Sequence, residues 1–347
     1  MNEILKKDLE QICNAEWIDF NKLSDATVFV TGATGLIGYT LVNALLALGN
    51  KIAVPPHVIA LVRNPDKAKM MFSGYTDSRI RFIKGDVASP VNIEDKVDYI
   101  IHAASQTSSK AFVEEPVEVI RTAIEGTINM LELAREKQVQ SFIYFSSMEV
   151  YGSPDTDEKI AENHSTNLDT MSVRTSYPEA KRMCEALCTA YHAEYGVPAK
   201  VIRLTQTFGP GVKYNDGRVF AEFARCVLEK KDIVLHTKGE TKRNYLYTAD
   251  AVSAILTVLL HGEPGEAYNA ANEETYCSIY EMAEMVADEC ANGKISVRIE
   301  IADENSFGFA PVLKMNLDTS KIRSLGWKAR TSLSEMFIVL CKAMKQN

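Results

Sequence analysis

Apolar residues in this chain fall into short β-branched and aromatic runs separated by stretches of helical spacing. Thr27-Val28-Phe29-Val30 is the first such run, and a helical apolar pattern through Leu46 follows it. His57–Val62, Ile80–Val87, Val97–Ala104, Phe142–Phe145 and Lys200–Leu204 repeat the strand pattern. Between them, Ile120, Ile124, Ile128, Leu131 and Ala134 recur at helical spacing over Glu118–Lys137. A further helix opens near Tyr177 and ends near Gly196, with Pro198 beyond it. Pro178 is tolerated because it falls in the first turn. Strands alternating with helices predict a parallel, doubly wound α/β sheet. Ahead of it, Leu5, Leu9 and Ile12 at helical spacing, then Trp17 and Phe20, predict a helical extension over residues 1–24. It either packs on the main domain or hangs as a loosely docked tail.

Composition removes several function classes. The chain has 347 residues and a formal charge of −8, with its lysines and arginines scattered. No basic stripe suits a nucleic acid. The longest apolar runs, such as residues 254–260, are too short for a bilayer, and charges interrupt the N-terminus, so neither membrane nor signal peptide is expected. The seven cysteines contain no Cys-x-x-Cys, which points to reduced thiols in the cytoplasm. Cys184 and Cys188 read as core residues. No metal site is expected. An acidic protein can still bind an anion through a few placed arginines.

The chemistry begins after the first strand, at Gly32-Ala33-Thr34-Gly35-Leu36-Ile37-Gly38. Strand, glycines and helix in that order predict a dinucleotide site and hence a Rossmann-type fold. Gly32 makes the tight turn, Gly35 admits a pyrophosphate to the helix N-terminus, and Gly38 allows close helix–strand packing. The second strand ends in Arg63 where an acidic residue would hold a ribose 2′-OH. An arginine there suits a 2′-phosphate and favours NADP; stacking on the adenine or plain solvation are the alternatives. Tyr177 and Lys181 lie four apart, so a helix puts both on one face. A nearby ammonium favours the phenolate and is expected to lower the Tyr177 pKa, making it a proton acceptor for a hydroxyl. Ser147 follows the fifth strand, at the end where parallel sheets place ligands.

These motifs resemble the extended short-chain dehydrogenase/reductase family, and locally its nucleotide-sugar epimerases, dehydratases and decarboxylases. The resemblance covers about residues 25–335. It is carried by Gly32-x-x-Gly35-x-x-Gly38, Asp86-Val87, Ser147-x-x-Val150-Tyr151-Gly152, Tyr177-x-x-x-Lys181 and the run Arg203–Pro210, then Asp318-x-x-Lys321 and Leu325-Gly326-Trp327. It implies a Rossmann-type domain over residues 25–205, with 244–275 returning to it. A smaller C-terminal substrate-binding lobe is implied over 206–243 and 276–347. By that resemblance Tyr177 is the acid/base at the sugar 4-OH, Lys181 binds the nicotinamide ribose, Ser147 holds the same hydroxyl, and Glu149 joins the catalytic set. Gly32, Thr34, Gly35, Leu36, Ile37, Gly38, Arg63, Asp86, Val87, Ala103 and Ala104 would line the NAD(P) site, NAD being usual for the family. Gln206, Arg218 and Arg243 would face the nucleotide-diphosphate sugar. A homodimer is implied, built from the Glu118–Lys137 and Tyr177 helices.

The candidate reactions share oxidation at sugar C4. Met148 stands where a 4,6-dehydratase has aspartate, which argues against dehydration. Glu149 and Asn215-Asp216-Gly217-Arg218 are similar to UDP-glucuronate decarboxylases. Gly211, Gln206 and Arg63 depart from that pattern. A 4-epimerase needs only the hydroxyl and Tyr-Lys pair and is the alternative. Arg63 also keeps an NADPH-dependent reductase open. A non-catalytic NAD(P) sensor would be expected to have lost the Ser/Tyr/Lys set, which is present.

Overall fold

The structure, a computed structural model, describes residues 3–74, 79–108, 110–301 and 312–346. The first two residues of the extension, and 302–311 and 347 of the expected C-terminal lobe, lie outside these. The chain opens with α1 (Glu3–Cys13), β1 (Thr27–Thr31), α2 (Leu36–Ala47), β2 (His57–Val62), α3 (Pro65–Met71), β3 (Ile80–Lys84) and β4 (Tyr99–His102). A short α4 (Ala111–Glu114) leads into α5 (Pro116–Lys137), β5 (Ser141–Ser147), α6 (Ser176–Tyr195) and β6 (Ala199–Leu204).

Among the described residues these strands and β10 (Ala267–Ala270) form a seven-stranded parallel sheet in the order β10-β6-β5-β4-β1-β2-β3. Val28, Phe29 and Val30 are all fully buried because both faces of the sheet are covered. Val28 and Val30 pack with α1, α2 and α8 (Thr248–His261), whereas Phe29 packs with α5 and α6 on the opposite face. Cys184 and Cys188 lie in that second core. The strand order reverses between β1 and β4, which opens a crevice at the C-terminal ends of the strands.

Past β6, the chain adds β7 (Gln206–Phe208), α7 (Val219–Glu229), β8 (Ile233–Leu235) and β9 (Lys242–Tyr247) before α8. After β10 come β11 (Asn272–Ser278), α9 (Ile279–Met285), β12 (Val297–Ile299), β13 (Lys314–Met315), α10 (Ser320–Ser324) and α11 (Leu333–Gln346). β9 pairs with β7, β11 and β13 in a smaller sheet. Residues 244–247 and 272–275 therefore pair outside the large sheet, so the returning segment is shorter than expected. It is α8 and β10 that return.

The N-terminal extension is docked, not a loose tail. Leu9 and Ile12 enter the core, Trp17 Nε1 donates to Thr257 Oγ1 (3.0 Å), and Tyr247 Oη donates to Asp8 (2.9 Å). Near the other end, Trp327 is buried and donates to Ser253 Oγ (2.9 Å). No helix among the described residues is long and apolar enough to cross a membrane.

Candidate active site

A cavity of about 1030 Å³ follows the C-terminal ends of the parallel strands and runs on toward β7 and β9. Every residue expected at the cofactor, catalytic and substrate positions lines it, from the glycine turn and Arg63 to Gln206, Arg218 and Arg243. At one end stands the glycine turn. Gly32 has φ +73°, and a Cβ on it would come within 2.8 Å of the Ala103 carbonyl carbon. A Cβ on Gly38 would lie 2.1 Å from the Gly32 oxygen, so only glycine allows α2 to start this close to β1. Gly35 caps α2 through its backbone without a side-chain cap. The helix's first N–H groups are thus left for an anion, which fits a dinucleotide pyrophosphate.

Behind the turn, Ala104 N donates to Thr31 Oγ1 (3.0 Å), which is also hydrogen-bonded to His102 Nδ1 (2.8 Å). His102 is fully enclosed; burial, then the Lys181 charge, pulls its pKa down to about 3 and keeps the ring neutral. His102 ties the ends of β1 and β4 together. The sequence places it within a strand run, but nothing local marks it as a strut.

The catalytic set comes from two elements. Ser147 ends β5, and its Oγ accepts a hydrogen bond from Glu149 N (3.2 Å) in a tight turn. Tyr177 and Lys181 share one face at the start of α6, and both are buried. Lys181 Nζ donates to the Phe145 carbonyl (2.6 Å) and lies 4.6 Å from the centre of the Tyr144 ring. Burial pulls the Lys181 pKa down to about 8. Its ammonium lies over the Tyr177 ring, 5.6 Å from the ring centre.

This corrects the expected tuning of Tyr177. Burial pushes its phenol well above the ordinary tyrosine range, and the Glu149 charge adds to the rise. The hydrogen bond to Ser147 and the Arg174 charge pull it back without reversing it. Spacing alone cannot weigh desolvation against a charge, and here desolvation wins. The tyrosine therefore carries its proton at neutral pH.

Three more residues shape this corner. Phe112 of α4 stacks on Tyr177 with centroids 4.3 Å apart and planes at 11°. Arg174 lies over the other ring of that stack, 4.9 Å from the Phe112 centroid, and pairs with Glu149 at 3.1 Å. Sequence reading passed over both, since they sit in a short helix and a polar loop with no periodicity to expose them. Met148 is buried, and its Sδ accepts the Thr205 hydroxyl (3.3 Å). A thioether there cannot exchange protons.

At the far end, Arg243 Nη1 donates to Gln206 Oε1 (3.1 Å), while its Nε is buried with no partner. A buried guanidinium N–H with nothing to bind fits an anionic ligand. Arg218 Nη2 donates to Asp216 (2.7 Å) beside it. At the β2 end, Arg63 is joined by Lys67, and among the described residues neither has an ion pair.

Fold and cleft together define an enzyme of the extended short-chain dehydrogenase/reductase class. The chain belongs to the NAD dependent epimerase/dehydratase family, whose model matches residues 28–271. UDP-glucuronic acid decarboxylase 4 of Arabidopsis thaliana is 28% identical over 321 residues, which is 92% of this chain and 68% of that protein. UDP-glucuronic acid decarboxylase 6 of the same plant is 29% identical over 313 residues, 90% of this chain and 87% of that one. Among solved structures, UDP-N-acetylglucosamine 4-epimerase from Methanobrevibacter ruminantium superposes with a TM-score of 0.78 at 20% identity, covering 93% of this chain and 99% of that chain. The UDP-glucuronic acid 4-epimerase of Bacillus cereus, solved with UDP-glucuronic acid and NAD, gives 0.75 at 22% identity, covering 92% and 99%. At such identities the solved structures speak for the fold.

Proposed function

We propose that this chain decarboxylates a nucleotide-diphosphate uronic acid, in the manner of a UDP-glucuronate decarboxylase, by transient oxidation at sugar C4. The reading is carried by its likeness to UDP-glucuronic acid decarboxylases over some 90% of the chain. Glu149 beside Tyr177 supports it, and the inert Met148 weighs against dehydration.

Ser147 and Tyr177 hold the C4 hydroxyl; the Lys181 ammonium and the positive ring of a bound oxidised nicotinamide would favour the Tyr177 phenolate over the neutral phenol, and as phenolate Tyr177 accepts the hydroxyl proton. A bound oxidised nicotinamide dinucleotide would supply the hydride acceptor for C4, return the same hydride to C4 once CO₂ has left, and place a positive ring charge in the cleft. Lys181, anchored on the Phe145 carbonyl, would hold the nicotinamide ribose. The C4 ketone lies β to the carboxylate, so the C5–C6 bond can break with its electron pair drawn toward O4. CO₂ leaves, and Ser147 with Tyr177 stabilises the oxyanion developing at O4. Glu149 is assigned the return of a proton to C5. Arg243, Arg218 and Gln206 bind the diphosphate.

Incubation with UDP-glucuronate, followed by CO₂ release and product mass, tests this reading. Release of CO₂ is expected; an unchanged mass with inverted C4 would replace decarboxylation by 4-epimerisation. We further assign the paired cations Arg63 and Lys67 to a cofactor 2′-phosphate, favouring NADP over the family's usual NAD. Continuous consumption of added NADPH would turn the reading to a reductase. Exposed Val117, Ile120 and Met183 on α5 and α6 suit a homodimer through these helices, which a sedimentation mass of one chain would exclude. A cytoplasmic location agrees with seven free cysteines and is checked by cell fractionation.

A further inference from the structure

The cations of the cleft are differently employed. Lys181 is tied to the Phe145 carbonyl (2.6 Å), Arg218 to Asp216 (2.7 Å) and Arg243 to Gln206 (3.1 Å). Arg63 and Lys67 stand at the end of β2. Arg174 is the cation next to the Tyr177 corner. It is held there by the Phe112 ring (4.9 Å), itself stacked on Tyr177 (4.3 Å), and by the Glu149 carboxylate (3.1 Å). Its side chain is 42% exposed, so it can turn without losing much burial.

In a hexuronic acid the carboxylate hangs on C5, the neighbour of C4. A sugar held at its 4-OH by Tyr177 therefore carries its carboxylate into the corner where Glu149 and Arg174 meet. Two carboxylates there repel each other unless a cation is shared between them. A planar guanidinium can face a carboxylate with two parallel N–H groups, which an ammonium cannot. We propose that Arg174 is a specificity-determining residue that turns from Glu149 to the C6 carboxylate of the sugar and so selects a uronic acid over a neutral hexose. This rests on the uronic-acid reading above. The stack on Phe112 keeps the guanidinium over the aromatic pair as it turns. A sugar with a C6 hydroxymethyl group gives Arg174 no anion to turn to and leaves its pair with Glu149 in place. Held this way, the carboxylate stays ionised, the form that loses CO₂.

The test is calorimetric binding in a Y177F background, where turnover is slowed by orders of magnitude and Ser147 still holds the 4-OH, with UDP-glucuronate, UDP-glucose and UDP as probes. With Arg174 intact, UDP-glucuronate should bind more tightly than UDP-glucose. R174Q should weaken UDP-glucuronate by roughly tenfold to a hundredfold, the usual range for a lost charge-assisted hydrogen bond. UDP-glucose and UDP should be unaffected, and R174K should restore part of the preference. Equal affinities for the two sugars with Arg174 intact would sink the uronic-acid reading, and this assignment with it. A preference that persists undiminished in R174Q would overturn the assignment alone. So would a parallel loss of UDP binding in both R174Q and R174K, since that would make Arg174 a structural residue.

Discussion

Arg203 offers a direct measure of how the site is supported. It lies next to the end of β6, and its guanidinium donates to both oxygens of Glu185 (3.0 and 2.7 Å), to Tyr151 Oη (2.8 Å) and to the Glu162 carbonyl (2.7 Å). Both side chains of the ion pair are only 13% exposed. Tyr151 closes the turn that carries Ser147 and Glu149, and Glu185 lies on the helix that carries Tyr177. Arg203→Met would leave Glu185 nearly buried with Ser146 as its remaining donor. Breaking a buried pair by removing one partner costs about 3–5 kcal/mol. With an unfolding entropy of about 2.1 cal/mol/K per residue, that loss lowers Tm by roughly 4–7 °C for this chain. Replacing both members, as in R203M/E185L, should recover most of the loss, because an apolar pair of similar volume is often as stable as the ionic one. The assay is thermal or urea unfolding of wild type, both single variants and the double variant. If R203M unfolds within about 1 °C of wild type, less than the smallest shift expected from a broken pair, the clamp does not exist. If the double variant is no more stable than R203M, the loss does not come from a stranded carboxylate.

Four further outcomes are expected. Y177F should lower kcat by about two to four orders of magnitude, the range of a lost general acid/base, while UDP still binds by calorimetry. R63A/K67A should weaken NADP⁺ binding by about tenfold, as for lost charge-assisted contacts, with NAD⁺ affinity unchanged; an equal loss for both would remove the 2′-phosphate assignment. G38A forces a methyl to within 2.1 Å of the Gly32 oxygen, so dinucleotide affinity measured by fluorescence should fall about tenfold or more, as overpacking usually dictates. Burial holds the Asp8 pKa up at about 7 against the Tyr247 hydrogen bond, with Asp250 adding to the rise. The native state therefore binds more protons than the unfolded one, and this contribution to stability fades as pH rises from about 4 through 7. D8N should be more stable than wild type at pH 8, by at most on the order of 4 kcal/mol, and should lose that advantage at pH 4; a constant difference in chemical denaturation would contradict it.

Elements with a strong local signal could be read directly. His57–Val62 is a strand with the expected bounds, since a continuous apolar run flanked by turn residues has few other ways to be buried. The α6 helix ends where Gly196 adopts a left-handed conformation. The smaller sheet was not legible as a sheet. Its strands β7, β9, β11 and β13 are short, and their partners lie far apart in the chain, so no local pattern announces the pairing. That is why residues 244–247 seemed to belong with the helix that follows them. The cavity residues named by motif do converge: the glycine turn, Arg63, Asp86, Ala103 and Ser147 sit at or just past strand ends that the parallel sheet brings to one edge, and α6 lays Tyr177 and Lys181 against β5 there.

What spacing conveyed was direction, and what it left out was environment. A separation of four positions puts Tyr177 and Lys181 on one face of a helix, and they are there. The same spacing cannot say that the long lysine stem carries its ammonium to the Phe145 carbonyl. Nor can it say that the phenol is enclosed by Phe112, with Glu149 raising its pKa and Arg174 lowering it. Those groups come from a four-residue helix, the turn after β5 and the loop before α6. The proton affinity of Tyr177 is thus set jointly by segments that share no sequence pattern. A further charge in that corner changes the balance, so a substrate carboxylate drawing Arg174 from Glu149 would change the tyrosine's proton affinity as well as its own position. In this arrangement, recognition of the sugar and the acid/base strength of the residue that acts on it are not independent.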